Sequence, residues 1–459
     1  MDSTPTIWQS ATVRAAIKSG DRGAIVRSVR RARHVTLAQL GIRCGYSIST
    51  LSRMERGLQP LIDIQVLRSL ADALEIPPHV LGLANTLRRS VPTPRPTVRV
   101  KTILAPEEET DPMRRRALLG GLAGLTSTAV FGTLPGGGTP PGDVVGALES
   151  ALLDPPCGIG MPVALPHLRR EVLAARSVFQ HGRYTAVADR LPELVSTAMA
   201  THAEANTSEE IGAASGQLAE IYTLASELMV KFSHDHLAGI TADRALQAAY
   251  GSGDILTQAT ARRAWGIVLR RAGRVEIAQR LVVDTAATLQ PELRGRPEYL
   301  SIYGSLLSTA AYTAAVDGDR ATAQTLISEA LDAAGRLGVD GNHRFTAFGP
   351  TGVGLYRISI ARVLGDSGTA IEVARQINPT TIPLVERRAR YWSDVARSFH
   401  QWGKPELCYR ALLAAEHTSP DEVRYRKPIH QITTSLLQHP TAHTLPGLQA
   451  FANRTGAPL

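Results

Sequence analysis

The chain has 459 residues, 44% hydrophobic and 5% aromatic, with a formal net charge of +9. That length accommodates two or more domains with cores of their own. Its three cysteines, Cys44, Cys157 and Cys408, form no CxxC pair, which argues against a disulfide framework or a thiolate zinc site and fits a reducing compartment. The charge is segregated. Residues 1–101 carry 16 Lys/Arg and 6 Asp/Glu, a net of +10, and the remainder nets −1. A basic excess confined to one end is the electrostatic footprint of phosphate contacts and counterion release.

Residues 1–22, with Trp8, Val13, Ala16 and Ile17, predict a short amphipathic helix, and no secretory leader is expected there. In residues 23–86, Ile25, Val26, Val29 and Ala32 give the next helix an apolar face, with Arg27, Arg30, Arg31 and Arg33 projecting elsewhere. Thr36 is a good N-cap with Gln39 three residues on, the spacing of a capping box. Leu37, Leu40 and Cys44 line one face of that helix, and Gly45 supplies the positive φ needed to leave it. Ser47 caps a second helix with Leu51 and Met54 inward and Ile48, Ser49, Ser52, Arg53 and Arg56 outward, and Gly57 ends it. Asp63 caps a helix that buries Ile64, Leu67, Leu70, Ala71 and Leu74, and Pro77 and Pro78 open a last one through Leu83. Two short helices joined by a glycine turn, the second presenting small hydroxyls beside an arginine, suit insertion into the DNA major groove.

The segment 47–57, followed by 67–74, resembles the phage-repressor-like (XRE) helix-turn-helix family over residues 23–84. The resemblance implies that Ile48, Ser49 and Arg53 face bases, while Thr36, Gln39 and the loop after the recognition helix hold phosphates. The full DNA-binding set expected is Arg27, Arg30, Thr36, Gln39, Arg43, Ser47, Ile48, Ser49, Thr50, Ser52, Arg53 and Arg56. Ile48 departs from the glutamine frequent in that family. It can touch a thymine methyl but makes no bidentate adenine contact.

Residues 87–112 read as a proline-spaced, charged linker. Residues 113–142 combine a basic pair and a small-residue apolar stretch (113–132), which looks like a twin-arginine signal, with a Gly/Pro joint at 134–142. The position of that stretch, behind a DNA-binding head, predicts an internal helix packed on the C-terminal domain or on a partner chain. Residues 143–440 alternate Ala/Leu-rich helices with short glycine turns. Gly273, Gly318, Gly365 and Gly403 recur at intervals of 45, 47 and 38, and Gly182 precedes Gly273 by 91, about two such steps. Such a period means stacked helical hairpins with a concave face, five or six of them, and the series resembles a divergent tetratricopeptide (TPR-like) array. Residues 441–459 read as a tail. The fold class expected is all-α: a five-helix head and a superhelical array of antiparallel hairpins.

With the Trp8 helix, the basic pair near 113, the segment 346–353 and the segment 419–428, the chain resembles actinobacterial XRE-type regulators with a TPR-like C-terminal domain. That implies a cytoplasmic transcription regulator that binds double-stranded DNA, expected at the nucleoid and without stable membrane association; because one small head reads few base pairs, a homodimer is expected. No catalytic motif, metal site or cofactor is expected, and no enzymatic activity. The His234–Asp235–His236 cluster reads as a capped helix start. For an effector (a peptide, small molecule or protein in the repeat groove), the candidates are Trp265, Tyr312, Asn342, His343, Arg344, Phe348 and Tyr356, with the polar and aromatic loop 341–353 foremost. The alternative is a TPR-like scaffold or adaptor, or an antitoxin-like repressor, that binds a protein partner.

Overall fold

The computed structural model describes residues 7–57, 61, 64–83, 145–150 and 160–457, and every regular element among them is helical. The linker, the apolar stretch at 113–132, the Gly/Pro joint, Asp63 and Cys157 lie outside the described residues. No described helix is long and apolar enough to cross a membrane.

The head starts with a 3-10 turn (Ile7–Gln9) and α1 (Ala11–Ser19). It continues through α2 (Arg22–Ala32), α3 (Leu37–Cys44), α4 (Ile48–Glu55) and α5 (Ile64–Ala73) to a 3-10 turn at Pro78–Leu81. The capping box at Thr36 forms in both directions: Gln39 N donates to Thr36 Oγ1 at 3.1 Å and Thr36 N to Gln39 Oε1 at 2.9 Å. Gly45 takes φ 70° and lets the chain leave α3, and Ser47 Oγ accepts from Thr50 N to start α4. Gly23 is a contact glycine. A Cβ there would run into the Met54 carbonyl, so it permits α2 to abut the end of α4. Leu40, Leu51, Leu70 and Leu74 are fully buried with Val26 and Val29. Val13 and Ala16 of α1 enter the same core, so the N-terminal helix is part of the head rather than a separate segment at 1–22.

The body is six helical hairpins. They are α6 (Leu165–Gln180) with α7 (Tyr184–Glu204), α8 (Ser208–Lys231) with α9 (Asp235–Gly251), and α10 (Ile255–Arg271) with α11 (Val275–Leu289). Then come α12 (Pro297–Val316) with α13 (Arg320–Leu337), α14 (Pro350–Val363) with α15 (Ser367–Arg375), and α16 (Val385–Gln401) with α17 (Pro405–Thr418). Each hairpin turns on one left-handed residue: Gly182, Ser233, Gly273, Gly318, Gly365 and Gly403, at φ between 62° and 82°. The residue after it donates its N–H five residues back, from His234 to Met229 at 2.9 Å and from Asp366 to Ala361 at 2.8 Å, which is the Schellman closure. Ser233 is the step hidden between Gly182 and Gly273.

The array closes on itself through α18 (Pro420–Arg424). Tyr184 Oη donates to Glu422 Oε2 at 2.7 Å, and Lys231 Nζ donates to Glu422 and to Glu386 at 2.9 and 2.6 Å. The first two hairpins therefore meet the last across the concave side. The chain continues through α19 (Lys427–Leu437) and a 3-10 turn at Ala442–Thr444 to α20 (Leu448–Thr455). Phe451 of α20 is fully buried, its ring 5.8 Å from that of Tyr409 and edge-on. Residues 441–457 are thus a packed element of the body, not a tail, because Leu448 and Phe451 complete the core of the last hairpins.

Candidate nucleic-acid interface and the body face it meets

The second helix of the helix-turn-helix, α4, buries Leu51 and Met54, as their spacing predicts, and leaves Ile48 54% exposed and Arg56 exposed. Ser47, Thr50 and Arg53, three residues apart, form a separate stripe. That stripe lies against the body. Ser47 N donates to Asp366 Oδ2 at 2.9 Å and Thr50 Oγ1 to Asp366 Oδ1 at 2.8 Å, and Thr50 is fully buried. Arg53 donates to the Trp402 backbone carbonyl, and its guanidinium lies 5.4 Å from the Trp402 ring centroid. Just before α4, Arg320 Nη1 donates to Gly45 O at 2.7 Å, and the Arg320 guanidinium stacks 4.2 Å from the Tyr46 ring centroid. Arg320 Nη2 also ties to Leu364 O at 3.1 Å. The head therefore rests on three consecutive hairpin turns, those of α12–α13, α14–α15 and α16–α17.

This contact is incompletely satisfied. Arg53 Nε and Trp402 Nε1 are buried with no hydrogen-bond partner among the described residues. Burial, with a smaller contribution from Arg56, lowers the Arg53 guanidinium from its ordinary value.

Among the other residues expected to meet DNA, Arg27, Thr36, Gln39 and Arg43 lie exposed on the head, and Ser52 is half-buried. The side chain of Ser49 lies outside the description. Arg30 is a correction. It is buried and bidentate with Glu55, at 2.5 and 2.8 Å, and its remaining Nη1 donates to Val35 O at 2.8 Å. Hydrogen bonding to Glu55 raises its guanidinium against the cost of burial. Arg30 ties α2 to α4, and all three of its guanidinium nitrogens are engaged inside the head.

The loop expected to bind an effector is a clasp. Asn342 and Gln180 exchange side-chain hydrogen bonds at 2.9 and 3.1 Å, and Arg344 pairs with Asp254 and Thr257. Phe348 is 3% exposed, and its ring occupies the space a side chain at Gly304 would take, so it is packing and not lining. His343 sits in the 3-10 turn of this loop, and Trp265 packs half-buried on the core of the first hairpins. Asp235, in the His-Asp-His cluster, pairs with Arg271 at 2.6 Å.

Tyr312 and Tyr356 alone of that set line the concave-side cavity, about 230 Å³ in volume. The first helix of every hairpin contributes to its wall. Sequence reasoning did not single out the α16 face of Arg387, Arg390, Asp394 and Arg397, where charged residues at helical spacing look like a solvated surface. Burial alone would raise the Tyr356 phenol. The Arg263, Arg390 and Arg387 guanidiniums outweigh it and hold the phenol at about 6. Tyr312 is likewise lowered against the effect of burial, by Arg362, Arg397 and Arg270. Burial and Arg362 together bring Arg397 down to about 10.

Residues 23–83 match the sequence model of a family described as a helix-turn-helix domain. No curated protein and no solved structure matches the chain. The protein thus carries an N-terminal helix-turn-helix domain followed by a large array of helices.

Proposed function

We propose that this protein is a sequence-specific DNA-binding regulator of the XRE type, with a TPR-like body that holds its head away from DNA. The helix-turn-helix match over residues 23–83 supports the DNA-binding part. The observation that carries the control is the stripe of Ser47, Thr50 and Arg53 against Asp366 and Trp402. A helix with its side chains is roughly 10–12 Å across and the major groove is about 12 Å wide. Nothing else fits beside a recognition helix in that groove, so the arrangement described is a DNA-incompetent one. Asp366 also puts a carboxylate at the start of α4, where a backbone phosphate is ordinarily received. DNA binding requires the head to leave the three turns. An effector acts by favouring one of the two arrangements. In the DNA-bound form we infer a homodimer, since one small head reads few base pairs, with half-sites about 34 Å apart. We assign it no catalytic role and place its action at the nucleoid.

Selection from random duplexes with the full-length protein and with an Asp366→Ser variant tests the reading. A common motif recovered by both, more strongly by the variant, is expected. No enrichment by either protein at moderate ionic strength overturns it. The same docked stripe also suits a second reading, in which the head is a protein-contact module of a scaffold or adaptor. That reading expects no enriched motif and a stable protein partner.

A further inference from the structure

The cavity on the concave side of the body is a basic chamber. Eight Lys/Arg side chains line it against Glu227, Glu386 and Asp394. From behind the wall, Glu422 pairs with Lys231 and Arg426, and Asp235 pairs with Arg271. Positive charge still exceeds negative.

The shortfall is concentrated at one end. Arg270 has no carboxylate partner among the described residues. It donates to Thr313 at 3.2 Å and lies 4.7 Å from the Tyr312 ring centroid. Asp394 is shared by Arg390 and Arg397, at the long distances of 3.6 and 3.5 Å, and Glu386 acts on Arg390 from further off. Arg362, whose charge acts on the same groups, keeps Nε and Nη2 buried without a hydrogen-bond partner. Half-buried guanidinium groups with a shared, distant or missing counter-charge are costly, and a fold retains them where something else supplies the charge. The guanidiniums of Arg263, Arg390 and Arg387, which lower the Tyr356 phenol, belong to the same set.

We propose that this chamber binds a small phosphate-bearing anion. Fork-shaped guanidinium donors at several angles match a phosphate group, and the rings of Tyr312 and Tyr356 offer a face to the organic part. At about 230 Å³ the chamber lies below the roughly 300–1,000 Å³ of drug-sized sites. Lys231, Glu386 and Glu422 bridge its wall. The occupant is therefore of sugar-phosphate size.

The site is well placed to act on the head. Tyr356 lies on α14, which ends at the turn carrying Asp366. Arg390 and Arg397 lie on α16, whose C-cap is Trp402. That an occupant bears on DNA binding rests on the regulator reading above, whereas the binding itself does not.

Isothermal titration of the full-length protein, without DNA, tests the site directly. The probes are inorganic phosphate and glycerol 3-phosphate, with glycerol as the uncharged control. Saturable binding in the micromolar to millimolar range is expected for the two phosphates and none for glycerol. Arg270→Gln and Arg397→Gln should each weaken binding about tenfold or more. Neither residue holds a short ion pair, and an unchanged thermal transition verifies that each variant folds. Absence of saturable phosphate binding up to about 10 mM, or binding untouched by both substitutions in folded protein, overturns the proposal. Anion binding by a protein that enriches no DNA motif would retain the site and remove only the regulator reading.

Discussion

Asp366 holds two helices with one carboxylate: it caps α15 by accepting from Thr369 N, and it accepts from the Thr50 hydroxyl of α4, 316 residues away in the chain. The first bond is local and structural. The second ties the body to the helix that, on the reading proposed above, enters a groove.

Replacing Asp366 with serine separates the two roles, because serine still caps α15 but cannot reach Ser47 N and Thr50. Hydrogen bonds to a charged group are worth about 1.5–3 kcal/mol each. Asp366→Ser should therefore raise the affinity of the full-length protein for its selected duplex by about tenfold or more, read by fluorescence anisotropy at fixed salt. Equal affinities would show that the docked arrangement does not limit DNA binding.

Arg30 and Arg56 should behave in opposite ways. Arg30→Ala leaves Glu55 buried without its partner and should destabilise the head by about 3–5 kcal/mol in chemical denaturation. Arg56 is exposed and bonds only the Ser52 carbonyl, so Arg56→Ala should leave stability within about 0.5 kcal/mol. It should weaken binding to all duplexes and reduce the salt slope by about one. A loss of salt slope in a fully stable Arg30→Ala protein would contradict the structural role.

Tyr356 should ionise near pH 6, four units below a free tyrosine. Absorbance at 295 nm followed from pH 5 to 8 should show one tyrosinate forming, and Tyr356→Phe should abolish that step. A folded-state value below the unfolded one means that the native state binds fewer protons. The corresponding stability is absent below pH 6, grows between about 6 and 10, and is fully present above the unfolded value. Saturating the chamber with phosphate should move the step to higher pH, because a second anion disfavours the tyrosinate.

Ser233 is the one non-glycine among the six hairpin turns. A left-handed L-residue costs roughly 1–2 kcal/mol, partly offset by the extra freedom glycine gives the unfolded chain. Ser233→Gly should thus stabilise the body by up to about 1 kcal/mol. Gly273→Ala, at φ 75° with open space around it, should destabilise by a similar amount. Denaturant midpoints at constant slope check both.

What the sequence disclosed was local. Thr36 with Gln39, Gly45 and Ser47 announce the head because each bond spans only a few residues. The glycine turns announce the hairpins for the same reason. Ser233 gave no signal, since serine carries no marker for positive φ. Arg30 pairs with Glu55, and Lys231 with Glu386, across separations that no local pattern encodes. Phe348 looked like a ligand-facing aromatic because its partner is the missing side chain of Gly304, 44 residues upstream. The chamber stayed hidden because a helix face of Arg387, Arg390, Asp394 and Arg397 reads the same whether it faces water or an enclosed space.

A rigid head seated on three successive turns is also a clip that fixes their spacing. On the regulator reading proposed above, duplex DNA would pull the clip away and free the last three hairpins to shift against one another, and the chamber walls on α14 and α16 belong to those hairpins. On that reading linkage would make the traffic two-way: whatever factor an occupant of the chamber imposed on operator affinity, the operator would impose in turn on the occupant.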